Sequence, residues 1–351
     1  ESPPPLGSPA GSLPLRHTAE ATLRLLVVPT PPRKKRVLWD QFHNVRYPVG
    51  FFPRDNLDDH DEALDWHGDH VHTNFHGLYD HLREKGFFVE VLSTDFTCFD
   101  AEQYGTLLVV DAEEEYFPEE VEKLEHDIRN GLGLVVFADW YEQDVLEKIR
   151  FFDENTRDYW TAATGGANVP ALNDLLRPFG VAFGTRTLTG SFKDGEGHRK
   201  VRFLSGSAIA RFPAGGRVVT RSMNDQASSF LNRGSHEYQV SIAGVVQPAD
   251  SKGRLAVYGD SNCLDSNHMR GGDCYWVLDS MLKYTMDGAI DETMQDLSTV
   301  LKEGMLVDKD AGLEPKRRPN CETEMRKYSK VIGAGKKPQC ATKKSAPETA
   351  G

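Results

Sequence analysis

No stretch of this 351-residue chain offers the roughly 18–20 consecutive apolar residues that a membrane-crossing helix needs. Positive charge is also in deficit: 41 Lys and Arg stand against 53 Asp and Glu, a formal net charge of −12. A general nucleic-acid binder is excluded on that ground, because phosphate affinity rests on clustered Lys and Arg. Attraction to an anionic membrane surface likewise has no source. Cysteine is scarce, five in all and an odd number. No Asn-x-Ser/Thr acceptor occurs, so glycosylation does not fix the compartment. The first residue is Glu, and nothing near it resembles a secretory leader.

What is present is an alternation. Hydrophobic residues make up 39%, enough for a substantial core. Residues 1–20 are rich in Pro, Gly and Ser and read as a disordered linker. Residues 21–36 read as the last strand of a truncated preceding β domain, followed by the basic linker Arg33-Lys34-Lys35-Arg36. From 37 to 288, short apolar strands at 37–40, 87–92, 106–111, 132–141 and 254–260 alternate with amphipathic helices. These are expected from Thr73 or Asn74 to Lys85, from Pro118 to Gly131, at 142–150, at 170–179 and at 275–284. The run 132–137 is apolar without interruption, the pattern of a central strand buried on both faces. Between 183 and 247 short strands separated by Gly-rich turns read as an antiparallel extension. Residues 289–351 carry a weak helix at 292–301 and then a Lys/Pro-rich, largely disordered tail. The expected fold is therefore α/β: a mostly parallel, doubly wound sheet with an antiparallel β extension.

Four strands deliver an aspartate at or near the carboxyl end: Asp40, Asp111, Asp139 and Asp260. In an open parallel sheet ligands bind at that edge. With Asn168 and Asn262 nearby, the set can hold Mg²⁺ or Ca²⁺ through oxygens. Strand-terminating aspartates also cap the next helix or turn, and the sequence favours that simpler role. A second metal reading rests on His70, His72 and His76, with Asp65 or Asp69 completing a shell. It requires convergence across a loop–helix junction, and a solvated, partner-facing loop over 47–72 accounts for the same residues. Gly259-Asp260-Ser261 followed by Asp265-Ser266-Asn267-His268 imitates the nucleophile and Asp-x-x-His blocks of GDS-type esterases. Both blocks fall within one short loop, not on opposite sides of a sheet, which argues against Ser261 as a nucleophile. After the central strand, where an amidotransferase-like turn presents Cys or Ser, stands Ala138-Asp139-Trp140-Tyr141. An aspartate there cannot replace a thiolate in acyl transfer. Cys263 and Cys274 bracket a short polar loop and read either as a small disulfide or as two thiols.

Four motifs carry a resemblance. Val37-Leu-Trp-Asp-Gln-Phe-His-Asn44, Tyr116-Phe-Pro-Glu-Glu120, Gly165-Gly-Ala-Asn-Val-Pro-Ala-Leu-Asn173 and Tyr258-Gly-Asp-Ser-Asn-Cys-Leu-Asp265 together resemble the site-1 protease family. These are subtilisin-like membrane-bound transcription factor peptidases of the Golgi and endoplasmic reticulum lumen. The similar region lies downstream of their catalytic domain and covers residues 21–288. The resemblance implies a domain like class I glutamine amidotransferases. It also implies an oxidising location, which favours the Cys263–Cys274 bridge. The expected partners are an upstream protease domain of the same protein and luminal proteins or transcription-factor precursors. No Asp, His or Ser of a subtilase triad maps onto this chain: His67-Gly68-Asp69 and Leu204-Ser-Gly-Ser-Ala-Ile-Ala210 share composition only. The expected role is a non-catalytic ancillary domain. A small-molecule or divalent-metal module using the aspartate crevice and a standalone hydrolase are the alternatives.

Overall fold

The computed structural model describes residues 22–24, 29–44, 68–162, 164–194, 196–268, 272–302, 306–312 and 314–317. Residues 1–30 form a unit of their own, of which only 22–24 and 29–30 are described, without regular secondary structure. Residues 22–24 of the proposed strand have no regular structure; its residues 25–28 and most of the loop 47–72, with His60, Asp65 and His67, lie outside the described residues.

In chain order the elements from residue 31 onward begin with β1 (Arg36–Asp40), α1 (His76–Glu84), β2 (Phe88–Leu92), β3 (Thr106–Val110), α2 (Pro118–Arg129) and β4 (Gly133–Phe137). Then come α3 (Gln143–Leu146), β5 (Arg150–Asp153), β6 (Asp158–Thr161), α4 (Val169–Leu176), β7 (Ala182–Phe183), β8 (Leu188–Lys193), β9 (Lys200–Gly206) and β10 (Ile209–Phe212). The chain continues through β11 (Arg217–Asp225), α5 (Ser228–Leu231), β12 (Glu237–Val246), β13 (Leu255–Tyr258), α6 (Tyr275–Asp287), α7 (Glu292–Leu297), β14 (Thr299–Val300) and β15 (Leu306–Val307).

The main sheet runs β2-β1-β3-β4-β13-β12-β11-β8-β9. Its first five strands are parallel, and the remainder joins antiparallel. Period-two alternation divides the parallel strands between two cores. Val37, Trp39, Leu108, Val110, Val135 and Phe137 share one core with Leu78 and Leu82 of α1 and Leu278 and Met281 of α6. Leu38, Leu107, Val109, Leu134 and Val136 share the other with Leu124 and Ile128 of α2 and Leu172 and Leu175 of α4. Both faces are therefore dry, which is why β3 and β4 are apolar throughout.

Several elements depart from the sequence expectation. The helix at 142–150 is a single turn, because Arg150 already enters the β5–β6 hairpin, an element without a strong alternating pattern. The domain also does not stop at Gly288. Strand β8 pairs only with Asn224 and Asp225 of β11, so β14 pairs with Arg217 and Val218 beside it. Strand β15 pairs with β10. The basic run is partly docked: Arg33 donates to the carbonyls of Tyr104 (2.8 Å) and Gly131 (3.0 Å). Among the described residues no helix is long and apolar enough to cross a membrane.

Candidate functional site

The strand order reverses at β1. The chain leaves β1 for β2 on one side and returns to β3 on the other, so the carboxyl ends of β1 and β3 flank a topological switch point. The four strand-end aspartates all lie at this edge of the sheet and all are buried. Their side chains, however, have different tasks.

Asp40 faces a histidine. His43, three residues on, places Nδ1 2.8 Å from Asp40 Oδ2 and Nε2 3.1 Å from Glu120 Oε1. Burial disfavours the imidazolium, but the two carboxylates outweigh it and raise the His43 pKa to about 9. Glu120 also accepts the N–H groups of Phe117 (2.7 Å) and Phe96 (2.9 Å), which fixes the start of α2. Asp40–His43–Glu120 is thus a closed, fully buried ion network. Asp260 is similarly engaged, accepting from the N–H groups of Leu204 (2.7 Å) and Asn262 (3.1 Å). Burial still pushes its carboxyl up to about 6. Asn168 caps α4 by accepting the Ala171 N–H at 3.2 Å, and its amide nitrogen donates to Glu115 at 3.3 Å. These three residues do not converge on a common ligand position.

Asp139 sits at the turn where this architecture presents a nucleophile. Its Oδ2 accepts from Ser261 Oγ (2.8 Å) and Asn262 Nδ2 (2.8 Å), and its Oδ1 from the Trp140 N–H (2.6 Å). A Cβ on Gly166 would lie 2.6 Å from Asp139 Cγ, so the Gly165-Gly166 segment can press against the carboxylate only because it lacks side chains. Ser261 directs its hydroxyl at a carboxylate, not at a histidine, and is itself buried. That arrangement positions Asp139; it does not activate Ser261.

Four residues that strand-end reasoning missed, Asp69, Asn74, Asn44 and Asp265, complete the edge. Asp69 accepts from Asn74 Nδ2 at 2.6 Å and from Asn44 Nδ2 at 3.4 Å, and Asn74 also reaches Asp265 at 3.0 Å. Burial raises Asp69 to about 6 and Asp265 to about 7, against the opposing pull of these hydrogen bonds. Asp111 follows β3 with φ +54°, a left-handed conformation that aspartate tolerates better than most residues. Burial, and then the charges of Asp69, Asp139 and Glu113, push its carboxyl well above the usual range. Among the described residues neither of its side-chain oxygens has a hydrogen-bond partner. Ser261 lies close enough to favour the charged form slightly, yet its hydroxyl goes to Asp139. For Asn44 the available signal was local, the Asp-Gln-Phe-His-Asn run after β1, whereas Asp69, Asn74 and Asp265 come from other segments.

Among the described residues, His70, His72 and His76 form no comparable centre. His70 and His72 have ring centroids 5.3 Å apart, with the His72 N–H on His70 Nδ1, whereas His76 Nδ1 contacts the Thr73 carbonyl at 2.7 Å. Among the described residues no three His, Cys, Asp or Glu side chains are grouped to hold a metal ion. Cys263 and Cys274 are joined by a disulfide, with Cα atoms 5.3 Å apart, which ties the loop after β13 to the start of α6. Cys98 is also disulfide-bonded.

The fold and this edge define the class: an amidotransferase-like α/β domain whose nucleophile turn carries a hydrogen-bonded aspartate. The chain belongs to the family described as "MBTPS1, fourth GATase-like domain", which matches residues 31–299. It is 49% identical over 340 residues to subtilisin-like protease SBT6.1 of Arabidopsis thaliana, covering 94% of this chain and 31% of that protein. It is 49% identical over 319 residues to the membrane-bound transcription factor site-1 protease of Rattus norvegicus, covering 90% and 30%. With the Homo sapiens protein of the same name the identity is 52% over 273 residues, covering 77% and 26%. The chain thus spans about a third or less of the length of these relatives, in a region downstream within them. Among solved structures, the mmIFT52 N-terminal domain is similar with a TM-score of 0.46 and 13% identity, covering 73% of this chain and 99% of that one.

Proposed function

We propose that this chain is a non-catalytic ancillary domain of a site-1 protease-like serine endopeptidase that works in the lumen of the Golgi and endoplasmic reticulum. It supports folding of the protease to which it is joined, and it offers its surface to luminal partners or membrane-bound transcription-factor precursors. One observation carries the absence of chemistry: the turn after the central strand holds Asp139, whose carboxylate already accepts three hydrogen bonds. Relatives named as proteases, three times longer than this chain, supply the context. The disulfide suits an oxidising lumen.

Deleting the corresponding domain from a full-length relative is expected to abolish secretion of mature protease. Co-expressing the domain as a separate chain should restore part of it. Normal maturation and cleavage without the domain sink the proposal. The purified chain should also turn over neither peptides nor esters. Ester hydrolysis that disappears in Ser261→Ala would favour the hydrolase reading instead.

A further inference from the structure

The switch point between β1 and β3 contains more oxygen than its own hydrogen-bond donors satisfy. Both oxygens of Asp111 are buried without a partner among the described residues, and the residue is 1% exposed. Asn44, 8% exposed, places its amide nitrogen between Asp69 Oδ2 (3.4 Å) and the Val110 carbonyl (3.3 Å), and its Oδ1 is likewise buried without a partner. Gln41 donates its amide nitrogen to the Asp69 carbonyl and leaves a third such group, Oε1. All four atoms are acceptors. An orphaned buried acceptor costs on the order of 1–3 kcal/mol, so a group of them at one place calls for a cation or a proton.

Asp69 and Asp111 cannot supply each other with a donor while both are charged. Among the described residues no Lys or Arg is paired with either of them. The other strand-end acids do not share this condition: Asp40 is closed by His43, Asp139 by Ser261 and Asn262, and Asp260 by two N–H groups. Among the strand-end aspartates of the described residues, Asp111, at the strand-order reversal where ligands of open α/β sheets bind, is the one with both oxygens unmatched.

We propose that Asp69, Asp111, Asn44 and Gln41 form a site for a hard, oxygen-seeking divalent cation, Ca²⁺ or Mg²⁺. Two carboxylates balance the ion's charge, and the amide oxygens with water complete the shell, a ligand set that suits either ion. Three clustered acids are not required. The ion would join the loop after β1 to the end of β3 and the approach to α1, and so would fix the polar edge without performing chemistry. This site is separate from the ancillary role proposed above, and a negative titration leaves that role standing.

The test uses the full chain stripped with EDTA and then titrated with CaCl₂ or MgCl₂ by isothermal calorimetry and thermal melting at pH 7.5. One ion per chain is expected, with a rise in Tm of about 5 °C at a hundredfold excess over Kd. The isosteric Asp111→Asn variant should fold, melt at or above the temperature of the ion-free parent, and lose the ion-dependent rise. Asn44→Ala should weaken binding about tenfold or more. Absence of heat and of any shift with both ions overturns the proposal and leaves a protonated Asp111 as the account of the orphaned oxygens. A shift that survives in Asp111→Asn overturns it equally.

Discussion

His43 shows how a single side chain can hold two acids in a dry interior. A buried pair broken by removal of one partner costs about 3–5 kcal/mol, because the remaining charges are left uncompensated. His43→Ala strands both Asp40 and Glu120 and should lose an amount of that order in urea denaturation. A loss under 1 kcal/mol means that the network is not ionic. Gly166→Ala tests a different constraint at the same edge. The added methyl meets Asp139 Cγ at 2.6 Å, and overpacking of this kind costs about 1–3 kcal/mol. An unchanged melting curve counts against the close approach.

Among the elements, the segment from β13 to α6 depends on a covalent tie. The Cys263–Cys274 bridge closes a loop with a sequence separation of 11. In the chain-entropy view a loop of that size is stabilised by about 2–3 kcal/mol. Replacing both cysteines by serine should lower stability by that amount, and reductant should then have no further effect through this bond. Mass spectrometry of unreduced peptides checks the pairing directly: both cysteines alkylated without reductant would contradict it. The elements after Gly288 make a second case. Arg217 donates to Ser298 Oγ at 2.9 Å and Ser280 Oγ to Asp291 at 2.6 Å, so α7 and β14 lean on β11 and α6. A chain ending at Gly288 should fold, melt several degrees lower and exchange its β11 amides faster. Identical exchange in the two lengths means that the added elements contribute nothing.

On the scale of the molecule, the buried charges combine into one pH dependence. Asp69 and Asp260, raised to about 6, and Asp265, raised to about 7, contribute stability that is complete below the ordinary aspartate pKa and is lost as pH climbs to 6–7. His43, raised to about 9, contributes stability that is complete below 6.5 and is lost as pH rises through 9. Both trends have the same sign. Asp194, held down by Arg199, acts the other way, but only in stronger acid. Unfolding free energy in EDTA should therefore fall steadily from pH 5 to pH 9, and denaturant midpoints at pH 5.5 and 8.5 measure it. A flat or rising profile over that window contradicts the buried-acid description.

Much of the fold was legible because both faces of the parallel sheet are covered. That requirement writes β3 and β4 as unbroken apolar runs and the covering helices as 3.6-residue stripes, and no distant information is needed to read either. The missing nucleophile was equally local, since Asp139 occupies the turn after the central strand whatever surrounds it. Which aspartates are engaged was not local. Asp40 is answered by His43, whose other nitrogen is held by Glu120 from 77 positions away, Asp69 by Asn74 and Asn44, and Asp260 by the Leu204 N–H. The β5–β6 hairpin and the pairing of β14 also depended on packing, because short strands gain stability only from the neighbours they meet. One-dimensional pattern determines what must be buried. Only the folded chain decides which buried oxygen has a donor, since that depends on angles and distances between segments far apart in sequence.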